Sequence, residues 1–354
     1  MTEPNPSQPL RIGVLGTARI ARKFIAGVRP SNRVLVTSVA SRDAARAAQF
    51  AMEMNIGRRF ESYESLIRDP DIDAVYNPLP NSMHAEWSIR AIKAGKHVLC
   101  EKPLSGSEHE ARTMFEAAQH FGVHLVEGFP YRAQPQTLKL QEIVQSGRIG
   151  KVRQIQATFA FTLVDREDIR LRPDLAGGAL MDLGTYPVNL VRLVAGSRPA
   201  RVRAVARWNG HEDRAVDRTL VALLEFEDGP LAQVMCSFDA AQHREALIVG
   251  SNGTIHTTYQ NHTSPEIPGD LTVREGLDAS GRGITINTPS TNGFLAEAES
   301  FAAMVGGGME QWTGSTVQES IDNAAILEAL QQSARSGGAA VDLTERTRVI
   351  AGAR

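Results

Sequence analysis

Lys102 stands between Glu101 and Pro103, at the end of the mostly apolar run His97 to Cys100. An isolated Glu–Lys pair is ordinarily a surface salt bridge of little consequence. Held by a proline at the rim of a buried strand, the same lysine has little freedom and a defined direction. Its ammonium can then hydrogen-bond a substrate hydroxyl and favour the alkoxide character that develops as hydride leaves. Asp182 and Tyr186, in "GGALMDLGTYPVN", are four residues apart, so on a helix they share a face, with Asn189 roughly on it too. Beside Lys102, the phenol of Tyr186 is expected to fall below its reference pKa of about 10 and to accept the hydroxyl proton. Pro187 and the nearby Gly184 are expected to distort that helix.

The elements that must position these groups alternate strongly in the first third. Strands are expected at 11–16, 34–40, 73–80, 97–101 and 123–128, with helices at 19–28, 43–54, 62–68, 82–94 and 105–121 between them. Short apolar strands alternating with helices mean βαβ units and a parallel sheet covered on both faces. After a helix near 133–146, the runs at 151–161, 201–208, 218–226, 230–238 and 245–251 are strand-like, several alternating polar and apolar. That pattern fits an antiparallel sheet with one exposed face. The stretch 177–196 interrupts it as a helix, 260–293 reads as loops and short strands, and helices return at 294–305 and 316–334. The expected fold is an α/β Rossmann-type domain followed by an α+β domain on a large, open-faced, mainly antiparallel sheet. We divide the chain into a disordered tail at 1–9, a nucleotide domain at 10–129 and a substrate and oligomerisation domain at 130–354, its last helices packing back on the nucleotide domain.

The first strand runs straight into a dinucleotide-type turn, Gly16, Thr17, Ala18, Arg19, Ile20 and Ala21. The first glycine makes the tight turn, and alanines replace the second and third glycines of the G-x-G-x-x-G pattern. Pyrophosphate can still sit on the helix N-terminus, where free N–H groups favour an anion. At the end of the second strand, where an NAD site places a carboxylate, stand Ser41 and Arg42, with Arg46 one turn on. A hydroxyl and a guanidinium suit a 2′-phosphate, so the expected cofactor is NADP rather than NAD. Pro78, Leu79 and Asn81 stand at another strand end, where ligands of doubly wound sheets bind, and are expected to border the nicotinamide with Glu101 and Lys102. His84 belongs to the same cofactor edge and is given no catalytic part.

With 38 basic and 40 acidic residues, the chain has no electrostatic case for nucleic acid or an anionic membrane. Cys100 and Cys236 form no metal or disulfide spacing and read as reduced core thiols, and no metal site is expected. The start lacks a signal-peptide layout, and no apolar run is long enough to span a bilayer, which points to a cytoplasmic protein.

Taken in order, "GVLGTARIA", "NPLPNSMHAEWSIRAIKAGKHVLCEKPL", "EGFPYRAQPQTLKLQEIVQSGRIGKVR", "GGALMDLGTYPVN" and "VGSNGTI" cover nearly the whole chain, and this series resembles the Gfo/Idh/MocA oxidoreductases. The resemblance implies NAD(P), hydride transfer at a sugar-like hydroxyl or carbonyl, and association through the open sheet as a homodimer or homotetramer. It makes Lys102 the catalytic lysine, completed by Asp182 and the residue four later. Many members carry histidine there; Tyr186 is similar to the branch with dihydrodiol and NADP-dependent D-xylose dehydrogenases. Arg132 and Arg170 lie in motif segments that border the cleft in relatives and are substrate candidates. The expected activity is oxidation of an aldose such as D-xylose or D-glucose at C1 to the lactone. Alternatives are trans-dihydrodiol oxidation, ketosugar reduction, and, from another class, an NADP-binding regulator without turnover.

Overall fold

The computed structural model describes residues 8–210, 215–277 and 283–344. The expected tail at 1–9 lies mostly outside the described residues. The chain divides into two units, one of residues 1–105, 109–134 and 291–317, the other of 106–108, 135–290 and 318–354.

The first unit carries six parallel strands: β1 (Leu10–Leu15), β2 (Val34–Ala40), β3 (Arg58–Phe60), β4 (Ala74–Asn77), β5 (His97–Glu101) and β6 (Leu125–Gly128). Their order is β3-β2-β1-β4-β5-β6, with the reversal between β1 and β4. Such a reversal opens a crevice at the carboxyl ends of the strands. The five-strand expectation missed β3, whose Arg58 and Arg59 are exposed and carry no apolar run to betray a strand at the sheet edge. Helices α1 (Arg19–Val28), α2 (Ala44–Met54), α3 (Tyr63–Ile67), α4 (His84–Lys93) and α5 (Glu108–Phe121) connect the strands. The core packs Ile12, Val14, Phe24, Val39 and Tyr76, all fully buried, and Phe24 stacks on Tyr76 at 3.9 Å between centroids. Helix α8 (Gly293–Gly307), remote in sequence, adds Phe294, Ala298, Phe301 and Met304 to the same core.

The second unit begins with α6 (Pro135–Gln145) and a nine-stranded sheet built from β7 (Val152–Ala160), β8 (Arg201–Asn209), β9 (Val216–Glu225), β10 (Leu231–Ser237), β11 (His243–Gly250), β12 (Gly253–Thr257), β13 (Leu271–Glu275), β14 (Ile284–Ile286) and β15 (Val341–Asp342). The order is β14-β13-β12-β11-β7-β10-β9-β8-β15; β7 and β10 pair in parallel and every other pair is antiparallel. One face is buried through Val202, Ala222, Leu224, Val234 and Ile155, while Val205, Leu223 and Leu231 on the other are more than half exposed. Period-two alternation produces this division, because successive side chains point to opposite faces. Helix α7 (Thr185–Ala195) follows a π-helical turn at Leu180–Gly184, so the distortion expected at Gly184 is present as a wider turn ahead of Pro187. Helix α9 (Val317–Arg335) precedes the last strand. No helix among the described residues is long and apolar enough to cross a membrane.

Candidate functional site

The nucleotide end lies where β1, β2 and β4 stop. Gly16 has φ +81, a region that favours glycine, and a Cβ there would meet Leu79 Cδ2 at 3.0 Å. Ala18 sits at φ −60, ψ 153 as the N-cap of α1, so an L-residue fits this turn without strain. Thr17 anchors the turn by accepting Arg22 Nη1–H at its carbonyl (3.1 Å), while Arg19 is exposed and Ile20 half-buried. At the end of β2, Ser41 is buried and its Oγ accepts the Asp43 N–H at 3.2 Å. Asp43 in turn caps α2, accepting the N–H groups of Ala45 (2.9 Å) and Arg46 (3.1 Å). Arg42 is exposed and lies near the phenol of Tyr63; burial pushes that phenol's pKa up and the Arg42 charge opposes the rise. Arg46 is exposed and pairs with Asp43 at 3.6 Å. Tyr63 was not singled out in the sequence; it opens α3 beyond the unrecognised β3, and only the sheet brings it beside Arg42. An adenosine 2′-phosphate suits this end, with a hydroxyl and two guanidinium groups able to donate to it.

The second feature of this unit is the mounting of Lys102. The residue before it, Glu101, is buried and accepts Tyr76 Oη–H at 2.6 Å. The residue after it, Pro103, follows a cis peptide and presents its carbonyl to His84 Nδ1 at 2.8 Å. Next, the Leu104 N–H donates to Glu127 Oε1 at 2.9 Å. Lys102 itself is only half-buried, so a tethered backbone carries an ammonium that solvent or a ligand can reach. His84 also meets the Leu79 carbonyl through Nε2 at 2.8 Å, joining the two strand-end turns. Burial pushes its pKa down to about 4, against the two carbonyls, which favour the protonated ring. Pro78 and Leu79 are buried and Asn81 is half-buried at the head of α4. Arg132 is buried, with Nη2 donating to the Gly314 carbonyl at 3.4 Å.

In the second unit, Asp182 lies in the π turn and accepts Arg170 Nε–H at 2.7 Å; Arg170 Nη1 also reaches Asp168 Oδ1 at 3.2 Å. The two carboxylates raise the guanidinium's pKa further, so Arg170 stays charged. Tyr186, near the start of α7, is buried, and its oxygen accepts Asn261 Nδ2–H at 3.1 Å. Its ring meets Phe159 edge-on, centroids 5.5 Å apart, and Arg244 lies over its face at 4.6 Å. Arg244, Asn261 and Phe159 escaped the sequence reading because only tertiary packing of a sheet, a helix and a loop distant in sequence brings them to Tyr186. The π turn ahead of α7 is anchored by Asp217, whose Oδ2 accepts the Leu180 N–H at 2.7 Å. Asn189 is fully buried.

Comparison with known proteins places this chain among oxidoreductases. Residues 10–129 match the oxidoreductase family with an NAD-binding Rossmann fold, and residues 137–256 match the GFO/IDH/MocA C-terminal domain. The chain belongs to the GFO/IDH/MocA oxidoreductase family. This oxidoreductase is 36% identical, over 94% of its length and 100% of the relative's, to D-xylose 1-dehydrogenase (NADP(+)) 2 of Haloferax volcanii. It is 34% identical to trans-1,2-dihydrobenzene-1,2-diol dehydrogenase of Danio rerio, over 70% of this chain and 73% of that one's length. A crystal structure of KijD10, a 3-ketoreductase from Actinomadura kijaniata, with NADP and TDP-benzene, superposes with a TM-score of 0.81 at 31% identity, covering 92% of this chain and 98% of that one. KijD10 has also been crystallised with one tyrosine changed to phenylalanine and with one lysine changed to alanine.

Proposed function

We propose that this oxidoreductase uses NADP to oxidise an aldose, such as D-xylose or D-glucose, at C1 to the lactone. The observation that carries the reading is the mounting of Lys102, a half-buried ammonium whose neighbours on both sides are tied down at the carboxyl edge of the nucleotide-binding sheet. Ser41, Arg42 and Arg46 support NADP over NAD, since none is a carboxylate that would repel a 2′-phosphate. When bound, NADP supplies the hydride acceptor. In this reading Lys102 donates a hydrogen bond to the C1 hydroxyl oxygen, Tyr186 takes that hydroxyl's proton, and the C1 hydride leaves as the C1–O bond becomes a carbonyl. Asp182, held by Arg170, orients the sugar, and Arg170 and Arg132 are assigned no contact of their own. The residue types altered in the KijD10 crystals, a lysine and a tyrosine, support the pairing of roles.

Lys102→Ala is expected to lower kcat about 10²–10⁴-fold while NADP affinity stays near normal. The assay is reduced-nicotinamide formation with NADP or NAD and an aldose panel, beside direct NADP binding. A variant that loses folding or cofactor binding instead would remove the catalytic assignment. The dihydrodiol and 3-ketoreductase relatives support a second reading, oxidation of a trans-dihydrodiol or reduction of a ketosugar by the same residues. Adding a dihydrodiol and ketosugars with NADPH to the panel separates the two. Binding of NADPH with no consumption under any substrate would favour a regulatory protein.

A further inference from the structure

Arg244 on β11 sits opposite Phe159 on β7 in the antiparallel register, so the two side chains share a face of the sheet. Its guanidinium carbon is 4.5 Å from the Phe159 ring centroid, 4.6 Å from that of Tyr186 and 4.6 Å from that of Tyr259. Three rings from three separate segments thus enclose one permanent charge. The Tyr259 hydroxyl donates to the Thr158 carbonyl at 2.6 Å, which fixes one wall of this box.

Arg244 Nη2 donates to Asn261 Oδ1 at 3.1 Å, and Asn261 Nδ2 donates to the Tyr186 oxygen at 3.1 Å. A guanidinium can only donate, so it determines which end of the amide faces it. Asn261 must turn its oxygen to Arg244 and its NH₂ to Tyr186. The phenol oxygen is thereby an acceptor from a neighbour, a bond that strengthens when the oxygen carries negative charge. The positive charge over the ring acts in the same direction, because an opposite charge within about 4–6 Å favours the ionised form.

We infer that Arg244, acting directly and through Asn261, is a positioning residue that keeps Tyr186 poised as a proton acceptor. The inference rests on the proposed role of Tyr186 in proton transfer. Other charged or titratable groups of the same unit belong to the segments packed around this phenol. Asp182, one turn earlier, is neutralised by Arg170, which is shared with Asp168; Tyr259 is committed to Thr158; and Cys236, packed behind Gly184, is a buried thiol pushed well above its ordinary pKa. Arg244 is a cation placed over the ring itself.

The test is the titration of Tyr186 in the NADP-loaded protein, followed by NMR of ring-labelled tyrosine. Its signal among the five tyrosines is assigned by its loss in Tyr186→Phe. Arg244→Met, which keeps bulk and removes charge, is expected to raise the midpoint by about one pH unit, a roughly tenfold loss of phenolate at a given pH. Arg244→Lys, which restores charge, should bring most of it back. Asn261→Asp, nearly isosteric, should raise the midpoint as well, because a carboxylate ends the donation to the phenol; this variant stands as the test should Arg244→Met not fold. An unmoved midpoint in the folded Arg244→Met or Asn261→Asp protein overturns the inference, as does a lysine variant that titrates like the methionine one. The titration needs no turnover, so it is read separately from activity: a fully active Tyr186→Phe protein would sink the proposed proton transfer and leave the charge effect measurable. Where activity follows the proposal, the pH profile of kcat should move with the same midpoint while KM for NADP does not.

Discussion

The proposed choice of NADP rests on single side chains, Arg42 above all, with Tyr63 nearby. The guanidinium is exposed and the neighbouring phenol is buried. Removing a charged hydrogen bond to phosphate is expected to cost about 1.5–3 kcal/mol, so Arg42→Ala should raise KM for NADP roughly 10- to 100-fold and leave KM for NAD nearly unchanged. Tyr63→Phe should show the same selectivity with a smaller effect, measured in parallel with both nucleotides. Equal losses with NADP and NAD would remove Arg42 from the 2′-phosphate site. Asp217 gives a stability prediction of definite sign. It is 3% exposed, and burial pushes its carboxyl up to about 6 from an ordinary value of 3.8. Between those pH values the folded chain keeps a proton that the unfolded chain has released, so stability falls as pH rises from about 4 to about 6. Asp217→Asn retains an oxygen for the Leu180 N–H and carries no charge. It should be more stable than the parent at pH 7, by up to about 3 kcal/mol, with the difference vanishing below pH 4. Denaturant melts across that range check it, and a variant less stable at pH 7 would contradict it.

Elements, rather than single residues, explain why Lys102 is held. Strand β5 delivers it, but the turn after β5 is secured by β4 through Tyr76, by α4 through His84 and by β6 through Glu127. Glu127→Ala would leave the buried Leu104 N–H without this partner, at an expected cost of about 1–3 kcal/mol. With the turn loosened, kcat should fall while NADP affinity changes little; Glu127→Gln, which keeps an acceptor oxygen, should recover most of both. Steady-state kinetics and thermal melts on the two variants decide it, and a kcat equal to the parent's in Glu127→Ala would show that the other two ties suffice. The π turn before α7 plays the matching part in the second unit, with Asp182 in the widened turn and Tyr186 just beyond it.

At the scale of the whole molecule, the nine-stranded sheet leaves Val205, Leu223 and Leu231 more than half exposed on one face. Cross-strand register puts Val205 opposite Val221, which is in turn opposite Met235, and Leu223 between Arg203 and Gln233, so apolar groups alternate with polar ones across three adjacent strands. A second copy of this chain is the occupant we expect, forming a dimer or tetramer. Leu223→Arg, at a position 54% exposed, should shift the protein toward monomer in sedimentation or light scattering with little loss of folding. A parent protein that is already monomeric would refute the assembly.

Local pattern determined a great deal here. Alternating apolar strands and helices foretold the parallel sheet, period-two alternation foretold the half-exposed one, and the turn residues at Gly16, Ser41, Arg42 and Lys102 fall at strand ends. These signals are local because a strand's burial and a turn's φ are written in a few adjacent residues. Tertiary structure alone decided the rest. The edge strand β3 has no apolar run, and its place follows from pairing with β2. Helix α8 joins the first unit's core from far along the chain. Arg244 and Asn261 reach Tyr186, and Tyr63 reaches Arg42, only through contacts between segments distant in sequence. Which donor faces which acceptor there depends on sheet register, and register is a property of the folded pair rather than of either segment.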